Sequence, residues 1–542
     1  MSRRRVSFRP RQAQCHAVFD KTEIVLRPGI AFLLTVALAT TQAWSANGPV
    51  KARDAVEVNI NWNHVVRVSE TVPTTQHLAN AMTVRSNPLN KPLLKALRDL
   101  HTDDTRLQLW YSVPLQAVAE LKEPTATETF WDFRSIDPVV IDFMANTKGA
   151  RHINIGTIPR WMFNVAPITL PSDPAATSYA YTEGTKGELL KDSTGRQFAA
   201  FQVRLYQWYT QGGFTDEIGR YHKSGHHFKI DYWGVLNEPA AENKLSDEEY
   251  TRIFDAVTKA IHAIDPKVQF MGPETVGSRS ILPFARYFLN PKNHDPDAPP
   301  VEWFSLHNYV LADNNPASWH EAYFSGAMNG FGGSSRAYAE QLRQLTQVRD
   351  ELSPKTRIAL DELGTFDKVK SDDDIAKTEQ PYSAYNPLYW VASGANWAAN
   401  FITAETLGIQ LISMTQMVGA PTQSESCSMI NWDTARPNAH YWVLSLINSH
   451  FGPGNKLVET QSSSADLLAQ ASSTSSGRKV LLVNTRNRTI SVDINDPVQR
   501  PHLRLDVVDE ASGEQSPRRE HGTNNRITLS PFAVAVVTLE AK

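Results

Sequence analysis

Short apolar segments recur through the middle of the chain, separated by longer amphipathic ones, and this alternation restricts the fold more than any other feature. The strand candidates are Leu107–Val113, His152–Ile158, Ile230–Leu236, Val268–Met271, Trp303–Tyr309, Arg357–Leu360 and Ile409–Met414. Between them lie helical patterns. In Ser246–Ile264 the residues Tyr250, Ile253, Phe254, Val257, Ile261 and Ile264 recur at helical spacing. Ser246 and Glu249 form an S-x-x-E capping box at its start, and Asp265-Pro266 marks its end. Leu93–Leu100 and Tyr338–Leu352 repeat the pattern with leucines on one face. Seven strand–helix alternations imply a parallel sheet covered by helices. The expected class is α/β, a closed (β/α)8 TIM barrel with loop insertions, its remaining strand sought within Val72–Thr83. No G-x-G-x-x-G follows an early strand, which argues against a dinucleotide-binding sheet.

After about Gly454 the period changes. Leu467–Ala471, Lys479–Asn484, Thr489–Ile494, Leu503–Val508 and Arg526–Leu539 read as short strands, with a Ser-rich turn at Ser472–Gly477. The expected organisation is therefore a barrel over 71–452 and a C-terminal all-β sandwich over 453–542. Residues 44–70 hold strand-like Val56–Ile60 and Val65–Val68, which could join the sandwich.

Residues 1–43 read as a secretory signal peptide. Seven basic residues against two acidic ones precede the apolar run Gly29–Ala39, and small residues follow it. Cleavage is expected after Ala43, Ser45 or Ala46, giving a secreted chain with no membrane in its mature form; an uncleaved signal anchor and an Arg-rich transit peptide are the competing readings. The run is short for a bilayer span, which needs about 20 residues. Cys15 would leave with the leader, so Cys427 would have no disulfide partner. The balance of 54 basic and 57 acidic residues excludes a nucleic-acid binder of the usual basic kind.

Two strands end in glutamate. Tyr232-Trp233-Gly234-Val235-Leu236-Asn237-Glu238-Pro239 is a buried-type strand stopped by proline, and Arg357-Ile358-Ala359-Leu360-Asp361-Glu362 is a second. The C-terminal ends of barrel strands form the catalytic face. Counting strands places Glu238 after the fourth and Glu362 on the seventh, across the mouth from each other. Glycoside cleavage needs such a pair, one group protonating the leaving oxygen while the other attacks or activates water. A second charge close by raises the pKa of the first.

With these residues in view, the sequence resembles retaining glycoside hydrolases of the large (β/α)8 clan, and within it looks most like family thirty-nine, of β-xylosidases and α-L-iduronidases. Phe130-Trp131-Asp132-Phe133, Asn237-Glu238-Pro239, Gly272-Pro273, Leu306-His307-Asn308-Tyr309 and Asp361-Glu362 carry the likeness. The resemblance implies that Glu238 is the general acid/base and Glu362 the nucleophile. It also implies that Asn237 bonds the sugar 2-hydroxyl and that His307 and Tyr309 hold the nucleophile and the −1 sugar. Two motifs depart from the family. Its Arg-x-His-Gly run on the second strand is replaced by Leu107-Gln108-Leu109-Trp110-Tyr111-Ser112-Val113, and a Trp platform on the eighth by Met414-Thr415-Gln416-Met417.

Trp110 and Trp161 fall at or just after strand ends, where they could stack on a carbohydrate substrate. His222, His226 and His227 are read as loop structure, and neither a metal nor another cofactor is expected. The competing function is a catalytically inactive carbohydrate-binding or wall-associated barrel.

Overall fold

The computed structural model describes residues 55–277, 280–328, 332–367, 381–422, 425–496, 503–522 and 525–539; the leader expected at 1–43 lies outside them. The chain opens with β1 (Val56–Val68), β2 (Val72–Leu78), α1 (Asn90–Asp99), β3 (Asp104–Leu109), α2 (Ile136–Asn146), β4 (Ala150–Ile155) and α3 (Arg196–Thr210). A hairpin, β5 (Gly213–Thr215) and β6 (Tyr221–Lys223), precedes β7 (Tyr232–Val235), the single turn α4 (Pro239–Glu242), α5 (Asp247–His262) and β8 (Gln269–Thr275). Then follow α6 (Ile281–Phe288), β9 (Trp303–Ala312), α7 (Ser335–Leu352), β10 (Arg357–Asp367), α8 (Pro387–Leu407), β11 (Leu411–Met414) and α9 (Ala439–His450). The last strands are β12 (Lys456–Ser462), β13 (Leu467–Thr474), β14 (Gly477–Asn484), β15 (Ile490–Asn495), β16 (Leu503–Val508), β17 (Arg518–Gly522), β18 (Arg526–Leu529) and β19 (Val534–Leu539). Among the described residues no helix is long and apolar enough to cross a membrane.

Strands β2, β3, β4, β7, β8, β9, β10 and β11 close into a parallel barrel, with Val72 beside Leu411 at the seam. Outward residues such as Leu107, Ile153, Trp233, Leu306 and Leu360 pack beneath the helices. The capping box at Ser246 forms: its hydroxyl accepts from the Glu249 N–H at 3.2 Å, and the Glu249 carboxylate accepts from the Ser246 N–H at 2.8 Å. Inside, Met271, Trp303, Ala359 and Leu411 make an apolar cluster. The rest of the barrel interior is polar. Gln76, Arg106, Gln108, His152, Asn154, Glu274, His307, Asp361 and Glu362 are all buried.

The second barrel strand differs from expectation. It spans Asp104–Leu109 rather than Leu107–Val113. Residues 110–113 leave the sheet because Pro114 begins a 3-10 turn. The shift brings Arg106 into the strand.

The C-terminal sandwich is a nine-stranded sheet in the order β17-β16-β19-β14-β13-β12-β1-β15-β18, folded over its own apolar face. β1 runs antiparallel to β12 (Val58 opposite Ser462) and parallel to β15 (Val56 opposite Val492). The other face, through Leu481, Val483, Val534 and Val536, joins the barrel's core.

Candidate active site

The site grows from two local backbone distortions. After β7 the chain turns sharply through two non-glycine residues with positive φ, Leu236 at 66° and Glu238 at 40°. Such conformations cost of order 1–3 kcal/mol each and persist only where the surroundings hold them. Here the Glu238 N–H donates to the Glu274 carbonyl at 3.0 Å, and Asn154 Nδ2 donates to the Leu236 carbonyl at 2.8 Å. The second distortion is a bulge in β10. Leu360 pairs with Leu306 and Glu362 with His307, leaving Asp361 as the extra residue. The bulge breaks the in–out alternation, so Asp361 and Glu362 are both buried among the interior polar groups.

His307 stands between the two glutamates. Its Nδ1 lies 2.8 Å from Glu238 Oε1 and 3.5 Å from Glu362 Oε2, while Nε2 lies 3.5 Å from Asp361 Oδ1. One carboxyl oxygen of Glu238, one of Glu362 and a ring nitrogen of His307 all fall within 4.8 Å of one another. The Tyr309 hydroxyl donates to Glu362 Oε2. Beneath them the Arg106 guanidinium, fully buried, bonds Gln76, Glu274 and Glu362, donates to Asn237 Oδ1 at 2.8 Å, and sits 3.7 Å from Asp361.

The two glutamates are driven apart electrostatically. Burial raises Glu238 above the usual carboxyl range, against the pull of His307 and with the charge of Glu362 adding to it. Burial also acts on Glu362, but the charges of His307 and Arg106 and the Tyr309 hydroxyl together hold it below that range. His307 is lifted well above 6.5: burial works against its cation, and the surrounding carboxylates outweigh burial. Glu274 is pushed up to about 8, because burial outweighs the opposing charge of Arg106. One group is thus biased to hold a proton and a neighbour to be an anion, which suits a general acid beside a nucleophile.

A small cavity of about 90 Å³ opens above this cluster, and Trp110, Asn237, Glu238, Tyr309, Glu362 and Gln416 are among its walls. Five of the residues singled out from sequence therefore converge with Trp110 included, and His307 lies directly behind them. Asn237 is already engaged by Arg106 and, through Nδ2, by Glu242 at 2.8 Å. Trp110 donates its indole N–H to Glu242 at 2.9 Å. Gln416 occupies the place where a strand-eight Trp was sought.

Trp161 is placed differently. It sits in a 3-10 turn, donates to the Glu120 carbonyl at 2.8 Å, packs on the core and is not among the cavity walls. The reason is the loop after β4, which turns at Pro159 and carries the indole toward the 114–135 segment instead of the mouth. His222 and His226 bond Asp216 (2.8 Å) and Asp137 (3.4 Å) in the β5–β6 region and take no part in the site.

Sequence reasoning missed Arg106, Glu274 and Glu242. The alternation Arg106-Leu107-Gln108-Leu109, apolar residues outward and polar ones inward, carried the signal for the first. Among the described residues, two sets of groups have donor atoms close enough for a metal ion: Glu238, His307 and Glu362, and Glu274, His307 and Asp361. The Arg106 cation already lies against Glu362 of the first set and against Glu274 and Asp361 of the second.

Residues 464–537 match the family described as D-apionate lactonase, C-terminal immunoglobulin-like domain. No curated protein sequence matches the chain. Solved structures similar in fold include the GH51 α-L-arabinofuranosidase from Thermotoga petrophila RKU-1, at 15% identity and a TM-score of 0.59, covering 90% of this chain and 100% of that one. A glucosidase from Croceicoccus marinus (12%, TM-score 0.56) and a GH30 endoxylanase from Clostridium papyrosolvens C71 (12%, TM-score 0.52) each cover the same 90% and 100%. The shared architecture is the barrel with its C-terminal β domain.

Proposed function

We propose that the protein hydrolyses O-glycosidic bonds by retaining double displacement, with Glu362 as nucleophile and Glu238 as acid/base. The observation that carries the reading is that Glu238, just after the fourth barrel strand, and Glu362, on the seventh, have carboxyl oxygens within 4.8 Å. Retaining enzymes hold their carboxyl groups about 5–5.5 Å apart, and inverting enzymes about 6.5–9.5 Å to admit a water. The opposite electrostatic bias of the pair supports the same roles.

In the first step Glu362 attacks the anomeric carbon, the C–O bond breaks, and the Glu238 proton passes to the departing oxygen. In the second, Glu238 takes a proton from water as that water's oxygen displaces Glu362. Arg106 and Tyr309 keep Glu362 anionic and aimed. Asn237, with one Nδ2 hydrogen left over, is available to a sugar hydroxyl.

The test uses p-nitrophenyl α-L-arabinofuranoside, β-D-xyloside, β-D-glucoside, β-D-galactoside and uronide substrates, with a 2-fluoro glycoside to trap the nucleophile. Labelling is expected at Glu362. Glu362→Ala should abolish turnover, and Glu238→Ala should keep activity only on good leaving groups. Wild-type rates in both variants would sink the assignment. The reading rests on the clan geometry; the solved structures named above include members of families 51 and 30, so the family thirty-nine sugars are candidates among several. The match at 464–537 favours one second reading, hydrolysis of a sugar-acid lactone at the same carboxyl pair, which lactone opening followed by pH-stat would reveal. We further propose that the protein is secreted; N-terminal sequencing of the exported chain should start after Ala43, Ser45 or Ala46.

A further inference from the structure

Glu242 lies at the end of the single turn α4, four residues beyond Glu238, which precedes that turn with a left-handed backbone. Its Oε1 accepts two hydrogen bonds, from Trp110 Nε1 at 2.9 Å and from Asn237 Nδ2 at 2.8 Å. At its other end the Asn237 amide gives Oδ1 to Arg106 at 2.8 Å. The amide is therefore fixed in one orientation: turned over, its NH2 would face the guanidinium and its oxygen would face Oε1. One Nδ2 hydrogen stays free, and Asn237, Trp110 and Glu238 share the cavity wall.

We propose that Glu242 is a positioning residue of this site, acting through Asn237 and Trp110 to orient the hydrogen bond that the enzyme makes to the substrate's 2-hydroxyl. The proposal rests on the glycosidase reading above. The second oxygen, Oε2, is buried and has no partner. Burial, with the charge of Glu238 beside it, drives the Glu242 carboxyl well above the usual range. Since Oε1 already takes two donors, the proton belongs on Oε2. A neutral acid here accepts both N–H groups without setting a further negative charge against Glu238, and glutamine reproduces that acceptor while leucine removes it.

The experiment compares the best-turned-over p-nitrophenyl glycoside with its 2-deoxy counterpart in Glu242→Leu and Glu242→Gln. The leucine variant should lose about 30-fold in kcat/KM on the parent substrate, the scale of a misoriented contact, and less than about 3-fold on the 2-deoxy substrate. The glutamine variant should stay within about 3-fold on both. In parallel, the Trp110 indole ¹H–¹⁵N resonance, assigned by its absence from Trp110→Phe, should move in Glu242→Leu and stay near its wild-type position in Glu242→Gln. Equal losses on the two substrates, or an indole resonance that ignores the leucine substitution, would overturn the proposal. Wild-type rates in Glu362→Ala would instead overturn the glycosidase reading, and the indole resonance would still report on the contact. Glu242→Met carries the same test if the leucine variant does not fold.

Discussion

Replacing Glu274 by glutamine removes a buried proton-binding group whose contribution to stability depends on pH. Glu274 is fully buried, and its carboxyl is pushed up to about 8 by burial, with Arg106 opposing. Full burial displaces a carboxyl by as much as 3–5 pH units, whereas one neighbouring cation recovers about 1–3, so burial wins. In the unfolded chain the group returns to about 4.3. Between those two values the folded protein holds a proton that the unfolded chain has released, so stability present at low pH is lost as pH rises toward 8. Each unit is worth at most about 1.4 kcal/mol for one proton, so pH 5.5 to 7.5 removes roughly 2–3 kcal/mol. That is a readable fraction of the roughly 5–15 kcal/mol that stabilises a native protein. Urea unfolding of wild type and Glu274→Gln at pH 5.5, 6.5 and 7.5 should show the wild type's advantage shrinking by that amount. Parallel pH curves would refute the reasoning. Such parallel curves would mean that Arg106 keeps Glu274 ionised, because the folded and unfolded chains would then both be deprotonated throughout this range.

Three further outcomes follow from the same cluster. Arg106→Met removes the guanidinium shared by Glu274, Asp361 and Glu362, leaves Asp361 and Glu362 to His307, and should cost about 3–5 kcal/mol in urea unfolding at neutral pH, with activity lost as well. Tyr309→Phe withdraws a hydrogen bond that favours the Glu362 anion. Its pKa should rise, moving the acid limb of kcat/KM to higher pH, with a loss of about 10–100-fold for a bond worth about 1.5–3 kcal/mol. Gly234→Ala puts a Cβ 2.6 Å from Asn154 Nδ2, Glu274 Oε1 and His152 Nε2. The interior must shift to admit it, at a cost of about 1–3 kcal/mol measurable as a lowered Tm.

What was legible in the sequence was whatever is decided locally. The Ser246 capping box and the apolar stripe after it are contained in one helix, and α5 forms within two residues of the expected end. Glu238 and Glu362 could be placed because strand counting puts both at the barrel mouth. Arg106 escaped notice because barrel strands were sought as continuous apolar runs, while this barrel's interior is polar and its strands alternate. The apolar look of Leu107–Val113 then drew the strand three residues too far along the chain. Glu274 carries no local mark at all: the guanidinium it meets, that of Arg106, lies 168 residues earlier. In the sandwich, β12 and β17 were missed. Lys456–Ser462 alternates weakly, and Arg518–Gly522 has no apolar side chain, being held by pairing with β16 and by Arg519 on Asp506 at 2.9 Å.

The interior seat of β1 in the C-terminal sheet, between β12 and β15, imposes an order of events during synthesis. The strand emerges early, yet both of its partners, β12 and β15, lie about 390 residues or more downstream. At about 5–20 residues per second it waits roughly 20–80 s with both edges open. The wait is an aggregation hazard for any unpaired strand, and the alternation of Glu57, Asn59, Asn61 and Asn63 with Val58, Ile60 and Trp62 keeps only one face adhesive. The closing of the sheet joins the two ends of the described chain around the barrel. A fragment cut at residue 453 would therefore separate neither half cleanly: the barrel piece would carry an orphan strand, and the sandwich piece would lack the strand that joins β12 to β15.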